Sequence, residues 1–143
     1  FRSWAFASSS LIARIKIQLP EWNLSLPAQE TGFAILSREE KISCYLKKSR
    51  NLIKKERLYL SEKLKNLGFT VYPSDAAFIL FYSDRPEVRE SLFENLYKKH
   101  KILIRDCSDY EGLEKGFFRI GIKNHRENKK LIKKIQAEVL NGN

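Results

Sequence analysis

A chain of 143 residues, 43% hydrophobic and 31% charged, has the length and composition of one globular domain with a core, not of a disordered segment or two ordinary domains. It holds no apolar run of about eighteen residues that could span a membrane, and the start Phe1-Arg-Ser-Trp-Ala-Phe-Ala7 lacks the make-up of a signal peptide. The formal net charge of +10 invites a nucleic-acid reading, but the lysines are spread over predicted helices, opposite their apolar stripes, and no nucleic-acid module is recognisable.

In chain order, Ser8-Ser-Ser10 offers N-caps for a short helix to about Gln18, with Leu11, Ile12 and Ile15 as its apolar face. Pro20 breaks it, and an irregular linker leads to Pro27, the first-turn proline of the next helix. Phe33 and Leu36, then Ile42, Leu46, Ile53, Leu60, Leu64 and Leu67, with Tyr45 and Tyr59 beside them, recur at helical spacing and are expected in the core. A break is expected at Ser37-Arg-Glu-Glu40, read as an N-cap with Glu three positions on, so that a shorter helix is followed by one of about seven or eight turns ending at Gly68.

Phe69–Tyr72 and Ala76–Tyr82 read as strands around a Pro73-Ser-Asp75 turn. Asp84-Arg-Pro-Glu87 reads as a capping box with a first-turn proline, opening a helix whose stripe is Val88, Leu92, Phe93 and Leu96 and which ends near His100. A strand from Ile102 to Arg105, a turn-rich loop to Gly116, a strand from Phe117 to Lys123 and a last helix follow. That helix is opened by Asn124-His-Arg-Glu127 and carries Leu131, Ile132, Ile135 and Val139. The order predicts a small α/β (α+β) layer, with helices packed on one side of a short, mostly antiparallel sheet.

Two cysteines, Cys44 and Cys107, make no disulfide framework and read as reduced thiols of a cytoplasmic protein. With only His100 and His125, a metal site is not expected. The chemistry concentrates in Arg105 and Arg119, each inside an apolar run where a guanidinium is costly unless an anion meets it. A planar five-donor fork holds carboxylate or phosphate two-pronged, so two forks on neighbouring strands suit a small substrate with two anionic groups. Pairing with Asp or Glu, or exposure on an edge strand, accounts for the same pattern.

The stretches Leu103-Ile-Arg-Asp-Cys-Ser108, Gly112-Leu113, Phe117-Phe-Arg-Ile-Gly-Ile-Lys123 and His125-Arg-Glu-Asn-Lys-Lys-Leu-Ile132 resemble the carboxy-terminal end of fold-type-I pyridoxal-phosphate enzymes. Among these they look like threonine-phosphate decarboxylases of cobalamin biosynthesis and their relatives, the histidinol-phosphate aminotransferases. Gln18-Leu-Pro-Glu-Trp-Asn-Leu-Ser-Leu-Pro-Ala-Gln29 is similar to the segment where the family's small domain begins, and Phe1-Arg2 looks like the tail of its Gly-Leu-Arg-x-Gly-Tyr motif. The resemblance implies a segment 1–25 leading from a large cofactor domain and a small domain 26–143. It implies Arg119 as the substrate-carboxylate ligand, Arg105 as a second anion clamp for the substrate phosphate, Asn23 bordering the active site, and Arg2 on the cofactor phosphate. It further implies pyridoxal phosphate as cofactor, a phosphorylated amino acid as substrate, a homodimer, and neither nucleic acid nor membrane as partner.

The departures are Ser3 and Trp4 where the family has Gly and Tyr, Ala77 where relatives often carry Asn, and no lysine assignable as the Schiff-base residue. The chain therefore reads as a fragment, inactive alone, of a decarboxylase of threonine O-3-phosphate. A histidinol-phosphate or related aminotransferase and a non-catalytic basic interaction domain are the alternatives.

Overall fold

The computed structural model describes residues 6–19 and 25–140. The chain divides into two compact units, 1–45 and 46–143. Arg2 and Asn23 lie outside the described residues.

The first unit holds α1 (Ser9–Gln18), α2 (Leu26–Leu36) and the beginning of α3 (Glu39–Asn66). Ser25 is the N-cap residue of α2, and Pro27 sits in its first turn, where a missing N–H costs nothing. The break between α2 and α3 falls where expected, but Ser37 does not cap α3. Its backbone is αR and its hydroxyl donates to the Phe33 carbonyl at 2.7 Å, closing α2 instead. A larger correction concerns burial. No described residue of 6–45 is buried. Leu11 and Ile15 of α1, Phe33 and Leu36 of α2, and Tyr45 of α3 are all exposed, so these helical stripes are not core.

In the second unit, α3 buries Glu56, Leu60 and Leu64, residues four apart on one face, while Leu46 is still exposed. Gly68 then closes the helix with φ +86°: its N–H bonds the Lys65 carbonyl and that of Phe69 the Leu64 carbonyl, the pairing that a left-handed residue after a helix permits. Next come β1 (Thr70–Val71), β2 (Phe78–Tyr82), α4 (Pro86–His100), β3 (Arg105–Asp106), β4 (Phe117–Gly121) and α5 (His125–Leu140). The sheet is antiparallel throughout, in the order β1-β2-β4-β3.

All four strands are shorter than expected, and two of the shifted boundaries have a local reason. The N-cap of α4 is Arg85, not Asp84, because the ring of Pro86 holds the residue before it extended (φ −73°, ψ 119°). The strand expected from Ile102 shortens to Arg105–Asp106. Lys101 is left-handed (φ 55°), and the N–H groups of Lys101 and Ile102 turn back to the Tyr97 and Leu96 carbonyls to close α4.

Alternation sorts the sheet into two faces. Ile79 pairs with Ile120 and Phe81 with Phe118, and all four are buried with Leu60 and Leu64 of α3, Leu92 and Leu96 of α4 and Ile135 of α5. Phe81 meets Phe69 edge-on at 5.1 Å and Phe118 at 5.7 Å between ring centroids. The other face carries Phe78, Leu80, Tyr82, Phe117, Arg119 and Arg105.

Candidate anion site on the open face of the sheet

Arg119 is the middle residue of β4, held between β2 and β3. Its direct cross-strand neighbours are Leu80 on one side and Arg105 on the other. Residues so opposed carry Cβ atoms about 5 Å apart, and like charges in such a pair destabilise a sheet. The two cations are offset differently. Arg105, 46% exposed at its side chain, is ion-paired with Asp109 and lies 5.4 Å from the Tyr110 ring centroid. The carboxylate, with Tyr110 beside it, raises the Arg105 pKa above the usual guanidinium value. Arg119 is half-buried, and among the described residues it has no hydrogen bond or ion pair. Its guanidinium stacks over Phe78 at 5.0 Å. A fork with an aromatic wall and five unspent donors is set up to receive a planar or tetrahedral anion.

The pair lines a cleft of about 770 Å³ that continues past Phe78 toward the start of α5. Its lining includes five cations, Lys101, Arg105, Arg119, Lys123 and Lys130, against one acid, Glu127. Such an imbalance in a concave site concentrates anions. Cys107 is 1% exposed, and burial pushes its thiol up more than the nearby Arg119 and Arg105 pull it down.

One buried polar network has no counterpart in the sequence reading. Glu56, 1% exposed, accepts the Asn128 amide at 2.9 Å and His125 Nδ1 at 3.1 Å. Asn128 also donates to the Lys123 carbonyl (2.8 Å) and accepts its N–H (3.1 Å), so the amide ties Glu56 to Lys123, two residues beyond β4. Asn128 lines the cleft as well. Glu56 and Asn128 are 72 positions apart, too far for any local pattern to join them. Half of the expected box at Asn124 forms: its Oδ1 accepts the Glu127 N–H at 3.0 Å, while the Glu127 carboxylate accepts from the Asn124 side-chain Nδ2 at 2.6 Å.

An antiparallel sheet covered on one face by helices, with an arginine pair on the other, makes a small α/β layer. The chain belongs to the aminotransferase class I and II family, which it matches over residues 3–135. That family is one of pyridoxal-phosphate-dependent enzymes. The chain is 33% identical over 129 residues to the adenosylcobalamin biosynthesis bifunctional protein CobDQ of Leptospira interrogans, covering 89% of this chain and 14% of that protein. In structure it is similar to the histidinol-phosphate aminotransferase of Clostridium acetobutylicum (TM-score 0.81, 30% identity, 92% of this chain and 38% of that one). It shares its fold with the L-threonine-O-3-phosphate decarboxylase of Porphyromonas gingivalis (TM-score 0.76, 22% identity, 92% and 39%). The chain thus spans well under half the length of these relatives.

Pyridoxal phosphate is held through a lysine Schiff base. The cleft's lysines, Lys101, Lys123 and Lys130, are exposed, and Lys123 is ion-paired with Glu127 at 3.6 Å. The described residues therefore fit the anionic end of a substrate and not the attachment of the cofactor. No helix among them is long and apolar enough to cross a membrane.

Proposed function

We propose that this chain supplies the substrate-anion clamp of a pyridoxal-phosphate-dependent lyase that decarboxylates threonine O-3-phosphate to aminopropanol phosphate for cobalamin synthesis. The observation that carries the reading is the facing of Arg105 and Arg119 across β3 and β4, with Arg119 unpaired. Two arginines directly opposed in register suit a ligand whose two anionic groups are separated by only a few bonds, and threonine phosphate is such a ligand. In the proposed roles Arg119 takes the carboxylate and Arg105 the phosphate. Arg2 and Asn23 keep their proposed places at the cofactor phosphate and the border of the site.

When bound, pyridoxal phosphate supplies the electron sink, and the protein decides which bond is presented to it. Gripping the substrate at both ends fixes the tilt of the bond to be broken, a positioning effect that a single clamp cannot impose. Phe78 under Arg119 keeps the fork flat and limits water on one side of it. We place the enzyme in the cytoplasm as a homodimer, with residues 26–143 as its small domain after a leading segment 1–25.

A second reading is supported equally by similarity: a histidinol-phosphate aminotransferase, in which the same pair would hold the substrate's single phosphate. Family membership favours either enzyme over a stand-alone basic domain. Threonine phosphate given to an enzyme carrying this chain separates the two. Release of carbon dioxide is expected, whereas amino transfer to 2-oxoglutarate without release would overturn the decarboxylase reading.

A further inference from the structure

Asp109 occupies Arg105 in a way that nothing occupies Arg119. It lies four residues after Arg105, beyond the two-residue β3, and is 62% exposed at its side chain. Its carboxylate Oδ2 accepts from Arg105 Nη2, and Tyr110 stands beside the same guanidinium. One member of the opposed pair therefore carries an internal carboxylate while the other presents a free fork.

Resting on the clamp reading above, we propose that Asp109 is a built-in competitor for Arg105, a carboxylate that the substrate's second anionic group displaces. The clamp then closes in two stages. Arg119, stacked on Phe78 and unpaired, takes the first anionic group at no cost in broken contacts. Arg105 takes the second only when that group outcompetes Asp109. A dianionic phosphate does so readily, being more charged and richer in acceptors than a carboxylate. A second carboxylate meets an equal rival that is already tethered. Displacing Asp109 costs the same to any ligand that reaches Arg105, so Asp109 sets how much tighter a two-anion ligand binds than one with a single anionic group, which it leaves untouched. It also cancels one charge of the opposed pair while no ligand is present, which explains how two arginines can face each other across a two-residue strand.

An exposed ion pair is worth about as much as a two- to fivefold change in affinity, which sets the size of the effect. Titration of the chain with O-phospho-L-threonine and with L-alanine, which has no second anionic group, tests it. Asp109→Asn should tighten phosphothreonine about two- to fivefold and leave L-alanine unchanged, widening the preference between them. Asp109→Glu, which keeps the carboxylate, should hold the wild-type preference. An unchanged preference in Asp109→Asn, with binding still weakened by Arg119→Gln, would overturn the competitor role and leave the clamp standing. Unchanged binding in Arg119→Gln would overturn the clamp and the competitor together.

Discussion

Residues 6–45 and residues 46–140 both place apolar side chains at helical spacing, yet only the second stretch buries them. Phe33 on α2 is 73% exposed, while Leu60 on α3 is 0% exposed. The difference lies in what surrounds each helix. From Leu46 onward, α3 runs beside a sheet with α4 and α5, and the inward faces of β1, β2 and β4 and of three helices close on one another. Residues 1–45 provide three helical segments and no strand among the described residues, and none of these buries a side chain. Periodicity marks which face of a helix is to be covered. It does not say whether the same chain covers it.

The comparison is broken most readily by truncating one aromatic on each side. Phe81→Ala removes a fully buried ring packed on Phe69 and Phe118 and is expected to cost about 3–5 kcal/mol in denaturant unfolding. Phe33→Ala should change the same midpoint by less than about 0.5 kcal/mol. Equal losses would mean that the two units share a core. Next in size is Asn128→Ala, which leaves the buried Glu56 carboxylate with His125 alone and removes the partner of both backbone groups of Lys123, at an expected cost of about 1–3 kcal/mol. A neutral result by the same measurement would show that the network is no part of what holds β4 to α5.

Arg119→Lys removes the two-pronged geometry and keeps the charge. In an enzyme carrying this chain it should lower kcat/KM about tenfold or more while cofactor absorbance is retained. A normal rate would refute the clamp. The smallest effect concerns the far ends of α4 and α5, where Glu138, 5% exposed at its side chain, meets Lys99 at 2.9 Å and His100 at 2.8 Å. Burial pushes the Glu138 carboxyl up, but the hydrogen bonds and charges of Lys99 and His100 outweigh it and hold it below its ordinary 4.5. A depressed folded value means stability that is fully present above pH 4.5 and lost as pH falls through the folded pKa. The stability gap between wild type and Glu138→Gln should therefore shrink on acidification below that point. A gap that grows there would reverse the assignment.

Much of the fold was legible because local rules and tertiary packing agree. Pro27 and Pro86 fall in first turns, Gly68 closes α3 with a positive φ, and the stripes of α4 and α5 face the sheet. The rest depends on contacts between distant residues. The shortening of β3 follows from how Lys101 and Ile102 close α4, and the exposure of Phe33 and Leu36 from the absence of a partner layer in their unit. Of the site, the chemistry of Arg105 and Arg119 could be read from their apolar surroundings. Their register, the unequal claims of Asp109 and Phe78 on them, and the Glu56–Asn128 network could not, since strand pairing and a 72-residue separation leave no local trace.

The central claim is that Arg119 is a free fork awaiting an anion. Nitrogen-edited NMR of the arginine side chains during titration with O-phospho-L-threonine tests it most directly. A saturable shift of the Arg119 Nε–H resonance is expected, with those of the exposed Arg14, Arg38 and Arg50 unmoved. An Arg119 signal that stays in place while the others shift would contradict it.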